Sequence, residues 1–295
     1  MRTIIIVYRS ACRSGIPHFR SHLNPDRSIM HFTSALALAS LAALQVSGTP
    51  VELVERATPT LYLAGDSTMA KDGANDGDTD GWGQYIGNYL TIPVVNKAIG
   101  GRSARSYTDE GRFTEIAGLV QSGDIVVIEF GHNDGGTPVS STDNLRSDCP
   151  GAGSETCISG VTGATVYTFV HYVEAAAKTL IAKGAQVILS SQTPNNLWET
   201  GTFVATAPRF VGYQKTAAEE VGTGATFVDH FQAVANAYLK RGSVKTNALY
   251  PNDHTHTSPT GAILVAQSFA QAINVALNGT TPLKSYLTAS PPVVW

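Results

Sequence analysis

Residues 124–130, Asp-Ile-Val-Val-Ile-Glu-Phe, constrain the fold more than any other stretch of the chain. Ile125, Val126, Val127 and Ile128 form an unbroken β-branched row. Such side chains are crowded in a helix and well placed on a pleated strand. A strand with one wet face would alternate apolar and polar residues; this one does not, so it asks for burial on both faces. Four more short apolar runs read the same way, at residues 60–64, 93–96, 185–190 and 225–229. Helical patterns lie between and after them, at 166–183 (stopping at Gly184), 210–221, 231–239 and 260–276. Strand–helix alternation predicts an α/β fold, a three-layer α/β/α sandwich around a five-stranded parallel sheet. Right-handed crossovers then bring the strand C-termini to one rim, where ligands bind in such sheets.

The chain has 295 residues, enough for one large domain with a real core. Its first 57 residues differ from the rest. Residues 34–44 are a run of small and medium apolar side chains, too short for a membrane span and suited to the hydrophobic region of a signal peptide. Met1 to Ile29 reads as an over-extended N-terminus with Met30 as the start. Residues 51–56 read as a short pro-segment ending at Arg56. The expectation is a leader over 1–57 and a single domain over 58–295, secreted and extracellular, free of the membrane once mature.

Six of the 20 Lys and Arg and three of the 23 Asp and Glu lie in the leader, which leaves 14 against 20 and a net of −6. An acidic mature chain argues against nucleic acid or an anionic membrane as partner. Cys12 falls in the leader, so Cys149 and Cys157 remain, an even number in an export setting, and are expected to form a disulfide. Asn278-Gly-Thr280 is a candidate glycosylation sequon.

Four segments carry chemistry-bearing residues at strand ends or in the last turn before a helix. Gly65-Asp66-Ser67-Thr68 follows the first strand and lacks the Gly-x-Ser-x-Gly pattern of the α/β-hydrolases. Alone, it is weak evidence for a nucleophile, because strand-to-helix turns often use Asp and Ser as helix caps. Gly100-Gly101-Arg102-Ser103 can present a backbone N–H where no Cβ blocks approach. Gly131-His132-Asn133-Asp134 follows the strongest strand and offers a side-chain amide. Asp253-His254-Thr255-His256 places a carboxylate three residues before an imidazole, close enough to fix its tautomer. His254 and His256 also have a His-x-His spacing, but no third metal ligand is evident nearby. Residues 135–163 form a long polar loop at the same rim.

Taken in order, these segments resemble the SGNH, or GDSL-type, hydrolases, whose fold is of the flavodoxin-like kind. The resemblance implies Ser67 as nucleophile, with Asp253 and His256 completing a triad. It implies the N–H groups of Ser67 and Gly101 and the Asn133 amide as oxyanion-hole donors. Longer blocks at residues 62–71, 101–107, 129–136, 187–196 and 253–259 look like the rhamnogalacturonan acetylesterase family. That family implies removal of acetyl groups from the pectin backbone, through an acetyl-enzyme intermediate, without a cofactor or metal. The expected partner is an acetylated pectic polysaccharide, handled by a monomer. Lys71, Arg102 and Arg105 beside the blocks are candidate contacts for its galacturonate carboxylates. Acetylated xylan as substrate, or a carbohydrate-binding pseudoenzyme, are the competing readings. Family members can carry a second, C-terminal disulfide; this chain has no cysteine after Cys157.

Overall fold

A computed structural model describes residues 58–295; the leader expected over residues 1–57 lies outside the described residues. In chain order the strands are β1 (Leu61–Gly65), β2 (Val94–Asn96), β3 (Ile125–Glu129), β4 (Thr156–Ile158), β5 (Thr165–Tyr167), β6 (Gln186–Ser190) and β7 (Ala225–Val228). The helices are α1 (Ala104–Asp109), α2 (Arg112–Leu119), α3 (Phe169–Ala182), α4 (Arg209–Val221), α5 (His230–Arg241), α6 (Ser243–Asn247) and α7 (Pro259–Val275). Five strands form one parallel sheet in the order β2-β1-β3-β6-β7.

The unbroken apolar runs are explained by what covers each face. Leu61 and Leu63 of β1, with Ile125 and Val127 of β3, join a core with α5 and α7. Tyr62 and Ala64, with Val126 and Ile128, join a second core with α1, α2, α3 and α4. Successive side chains point to opposite faces, so a strand serving two cores is apolar on both, as Ile125 to Ile128 are. All five residues of β3 are buried.

Three local differences from the sequence reading have physical causes. The helix expected from residue 166 starts at Phe169, because Val166 belongs to β5 and Thr168 caps the helix by accepting from the His171 N–H at 3.2 Å. The long loop after β3 carries its own structure, an antiparallel ribbon of β4 and β5. Cys149 and Cys157 are joined as a disulfide with Cα atoms 5.4 Å apart, which ties the start of that ribbon back to the loop. Helices α1 and α2 escaped the sequence reading; they are short and divided by Gly111, which sits in the left-handed region at φ 72°.

Candidate active site

The first strand delivers Ser67 through a turn that tolerates only glycine at its base. A Cβ on Gly65 would fall 2.8 Å from the Met69 sulfur and 2.9 Å from the Glu129 carbonyl. Asp66 then turns inward, and its Oδ1 accepts from the Thr68 N–H at 2.9 Å and the Thr68 hydroxyl at 2.8 Å. Asp66 thus closes a local turn on Thr68, and no helix starts there for it to cap. Ser67 is left facing a cavity and is only 5% exposed.

The imidazole reaches Ser67 from the far end of the chain. Ser67 Oγ lies 2.7 Å from His256 Nε2. His256 Nδ1 lies 2.6 Å from Asp253 Oδ2. The other carboxylate oxygen accepts from the His256 and Thr255 backbone N–H groups, each at 2.7 Å. Partial burial opposes ionisation of Asp253, but these bonds outweigh it and hold the carboxyl below its ordinary range. An Nδ1 committed to the carboxylate leaves Nε2 to accept the serine proton. His254 turns away, with Nδ1 at 3.1 Å from Glu199.

Gly101 and Asn133 line the same cavity of about 620 Å³ as Ser67 and His256. Gly101 sits at φ 75°, a conformation that costs glycine little. Asn133 donates through Nδ2 to the Arg102 carbonyl at 3.1 Å, and the amide retains a second N–H. The two segments are tied together, because Asp134 Oδ1 accepts from the Ala104 N–H at 2.7 Å. Burial pushes the Asp134 carboxyl up to about 7. Asp148 is raised well above the ordinary range by burial and by Asp134 beside it. Two buried carboxyls in contact hold one proton between them more readily than two charges.

The cations expected to meet substrate separate into three situations. Lys71 is exposed on the cavity wall. Arg102 also lines it, but its Nε is held by Glu110 at 3.0 Å and its Nη1 by the Gly100 carbonyl at 3.0 Å. Arg105 must be corrected. It is 3% exposed, lies outside the cavity lining, and its Nη1 donates to Asp143 at 2.9 Å and the Ser147 carbonyl at 2.7 Å. A guanidinium so fully paired is structural. Arg146 was missed: it lines the cavity, and its Nη1 donates to both the Gly101 carbonyl and Asn133 Oδ1 at 3.1 Å. Nothing in its local sequence flags it. Asn278 is exposed, with its Oδ1 accepting from the Asp229 N–H at 2.8 Å.

Beneath the rim lies a second polar cluster that sequence reading did not anticipate. Glu129, 1% exposed, accepts from Trp82 Nε1 at 2.8 Å and Ser190 Oγ at 2.5 Å, and lies 2.8 Å from His230 Nδ1. His230 Nε2 faces the Val265 carbonyl at 3.1 Å.

A parallel sheet carrying a Ser-His-Asp line at its C-terminal rim defines a serine-hydrolase type of site. The chain belongs to the GDSL-like Lipase/Acylhydrolase family, whose model matches residues 63–262. It is 50% identical over 246 residues to the rhamnogalacturonan acetylesterase of Emericella nidulans, covering 82% of this chain and 95% of that one. It is 28% identical over 246 residues to the rhamnogalacturonan acetylesterase RhgT of Bacillus subtilis, covering 78% and 94%. In structure it resembles the Bacillus subtilis protein YxiM, with a TM-score of 0.59 at 22% identity, over 76% of this chain and 58% of that one. That likeness speaks for the fold.

Proposed function

We propose that residues 58–295 form one secreted esterase domain that removes acetyl groups from the rhamnogalacturonan backbone of pectin. The observation that carries the chemistry is the continuous line Asp253–His256–Ser67 opening into a cavity beside Gly101 and Asn133. The 50% identity to a rhamnogalacturonan acetylesterase along nearly its whole length supports the substrate. The disulfide and the apolar run at residues 34–44 support export, and a monomer is sufficient for a site built from a single chain.

The reaction follows from the geometry. His256 Nε2 takes the Ser67 hydroxyl proton as Oγ attacks the acetyl carbonyl carbon. Asp253 keeps the ring oriented and stabilises its charged form. The carbonyl oxygen, now anionic, is met by the Ser67 and Gly101 N–H groups and the Asn133 amide. Each donor is worth roughly 3–4 kcal/mol in the transition state. His256 returns the proton to the departing sugar oxygen. Water, activated by the same imidazole, then releases acetate and restores Ser67. Lys71 and Arg102 on the cavity wall supply positive charge for a polyanionic chain.

Acetate release from acetylated rhamnogalacturonan by wild type and Ser67→Ala tests the reading. The variant is expected to fall by about 10⁶-fold in kcat. Unchanged release would refute Ser67 as nucleophile, and a wild type active only on acetylated xylan would refute the substrate.

A further inference from the structure

Arg146 has a place among the cavity cations that the proposed reaction does not use. Its Nη1 spends both N–H groups on the Gly101 carbonyl and Asn133 Oδ1. No carboxylate among the described residues lies within ion-pair distance of it. Its Nε and Nη2 have no protein acceptor there either. A guanidinium carries five N–H donors in a fixed plane. The idle Nε–Nη2 edge is one that grips a carboxylate with two parallel bonds.

The loop that presents Arg146 is built with unusual effort. Leu145, just before it, holds φ at 63°, a left-handed conformation that a bulky residue avoids. The buried Arg105 clamps the loop on both sides, taking Asp143 and the Ser147 carbonyl through one nitrogen. Cys149, bonded to Cys157, anchors it two residues further on. Strain held at one residue by a buried ion pair and a crosslink fixes where the next side chain points.

We propose that Arg146 is the specificity-determining residue for an anionic sugar. Its Nε–Nη2 edge binds the carboxylate of a uronate at or beside the acetylated residue, while Nη1 holds Gly101 and Asn133 where the oxyanion will form. One planar group then links recognition of the polymer's charge to the geometry of the oxyanion hole. The proposal rests on the esterase reading above.

The test compares wild type, Arg146→Ala and Arg146→Lys on three substrates. These are acetylated rhamnogalacturonan, the same polymer with its carboxyls reduced to alcohols, and 4-nitrophenyl acetate. Arg146→Ala is expected to lower kcat by about 10- to 100-fold on all three, because the hole is no longer held in place. It should raise KM about 10- to 100-fold on the charged polymer alone, as a lost charge-assisted pair does. Arg146→Lys should recover part of KM and little of kcat, since an ammonium cannot make both sets of bonds. Equal KM changes on charged and reduced polymer would overturn carboxylate recognition, and unchanged kcat on 4-nitrophenyl acetate would overturn the hold on the hole. Inhibition of 4-nitrophenyl acetate hydrolysis by free galacturonate, weakened in Arg146→Ala, reads the same edge without the polymer. A wild type that ignores the polymer, with galacturonate inhibition still weakened in Arg146→Ala, would refute the substrate and leave Arg146 standing. Equal inhibition of both proteins would refute Arg146.

Discussion

The molecule contains the same three kinds of side chain twice, a carboxylate, an imidazole and a serine hydroxyl, wired in two different ways. At the rim, Asp253 meets one ring nitrogen of His256 and Ser67 meets the other. Inside, Glu129 meets both His230 and Ser190, and the far nitrogen of His230 faces a backbone carbonyl. A hydroxyl facing an imidazole has a proton to give, and a carbonyl has none. The rim cluster borders a cavity, whereas His230 is fully buried between Trp82 and Phe269. Composition therefore does not make a catalytic group; the order of connection and access to substrate do.

The sharpest way to break this contrast is to remove one member of each cluster, the imidazole at the rim and the carboxylate inside. His256→Ala is expected to cost about 10⁶ in kcat with little change in Tm, measured by acetate release and thermal melts. A comparable rate with and without His256 would erase the distinction. Glu129→Ala should do the reverse. It strips the acceptor from Trp82, Ser190 and His230, and should cost about 3–5 kcal/mol of stability in urea unfolding. The surviving folded fraction should keep kcat within about tenfold of wild type, since Glu129 touches no reacting atom.

Smaller effects sharpen the picture at the loop that borders the rim. Replacing Cys149 and Cys157 together by serine should cost about 2–3 kcal/mol, because the crosslink closes a short loop in the unfolded chain. The effect should vanish if wild type is melted under reducing conditions.

The last effect, a difference in slope with pH, concerns the buried pair Asp134 and Asp148. Unfolded aspartates ionise near about pH 4, and burial raises both carboxyls in the fold, Asp134 to about 7. The folded state therefore binds the proton more tightly. Stability from that proton is full below about pH 4 and is lost as pH climbs through about 7. Asp148→Asn removes the need for it, so its Tm should fall less than that of wild type between pH 4 and 8. Parallel pH profiles would refute the shared proton.

Legibility in the sequence follows the range of the interactions. The five sheet strands are visible because burial on two faces leaves an unbroken apolar mark, as in Ile125 to Ile128. Helices α3, α4, α5 and α7 are visible because each has several turns of apolar period and a capping or breaking residue at an end. Asp253 and His256 share one turn, so their pairing is local and can be read from spacing. Gly101 and Asn133 could be placed at the rim because each follows a strand.

What stayed hidden depends on distance along the chain. Glu129 and His230 are 101 residues apart, and no pattern in either segment links them. Arg105 looks like any surface cation until Asp143 and Ser147 fold over it. Arg146 is tied to the site by the carbonyl of Gly101, 45 positions earlier, and by Asn133 Oδ1. The β4–β5 ribbon is mostly exposed and carries too little apolar alternation to announce itself.

Ser67 stands ten residues into the described fold, and the imidazole beside it arrives 189 residues later. During synthesis, then, the chain passes through a long stage in which the hydroxyl and its neighbouring amides exist but the proposed base does not. On the roles proposed above, a fragment ending anywhere before His256 lacks its base, however well its sheet has formed. Turnover on a small ester should therefore time the arrival of His256, and a nascent-chain series of increasing length should stay silent at every length that ends before it.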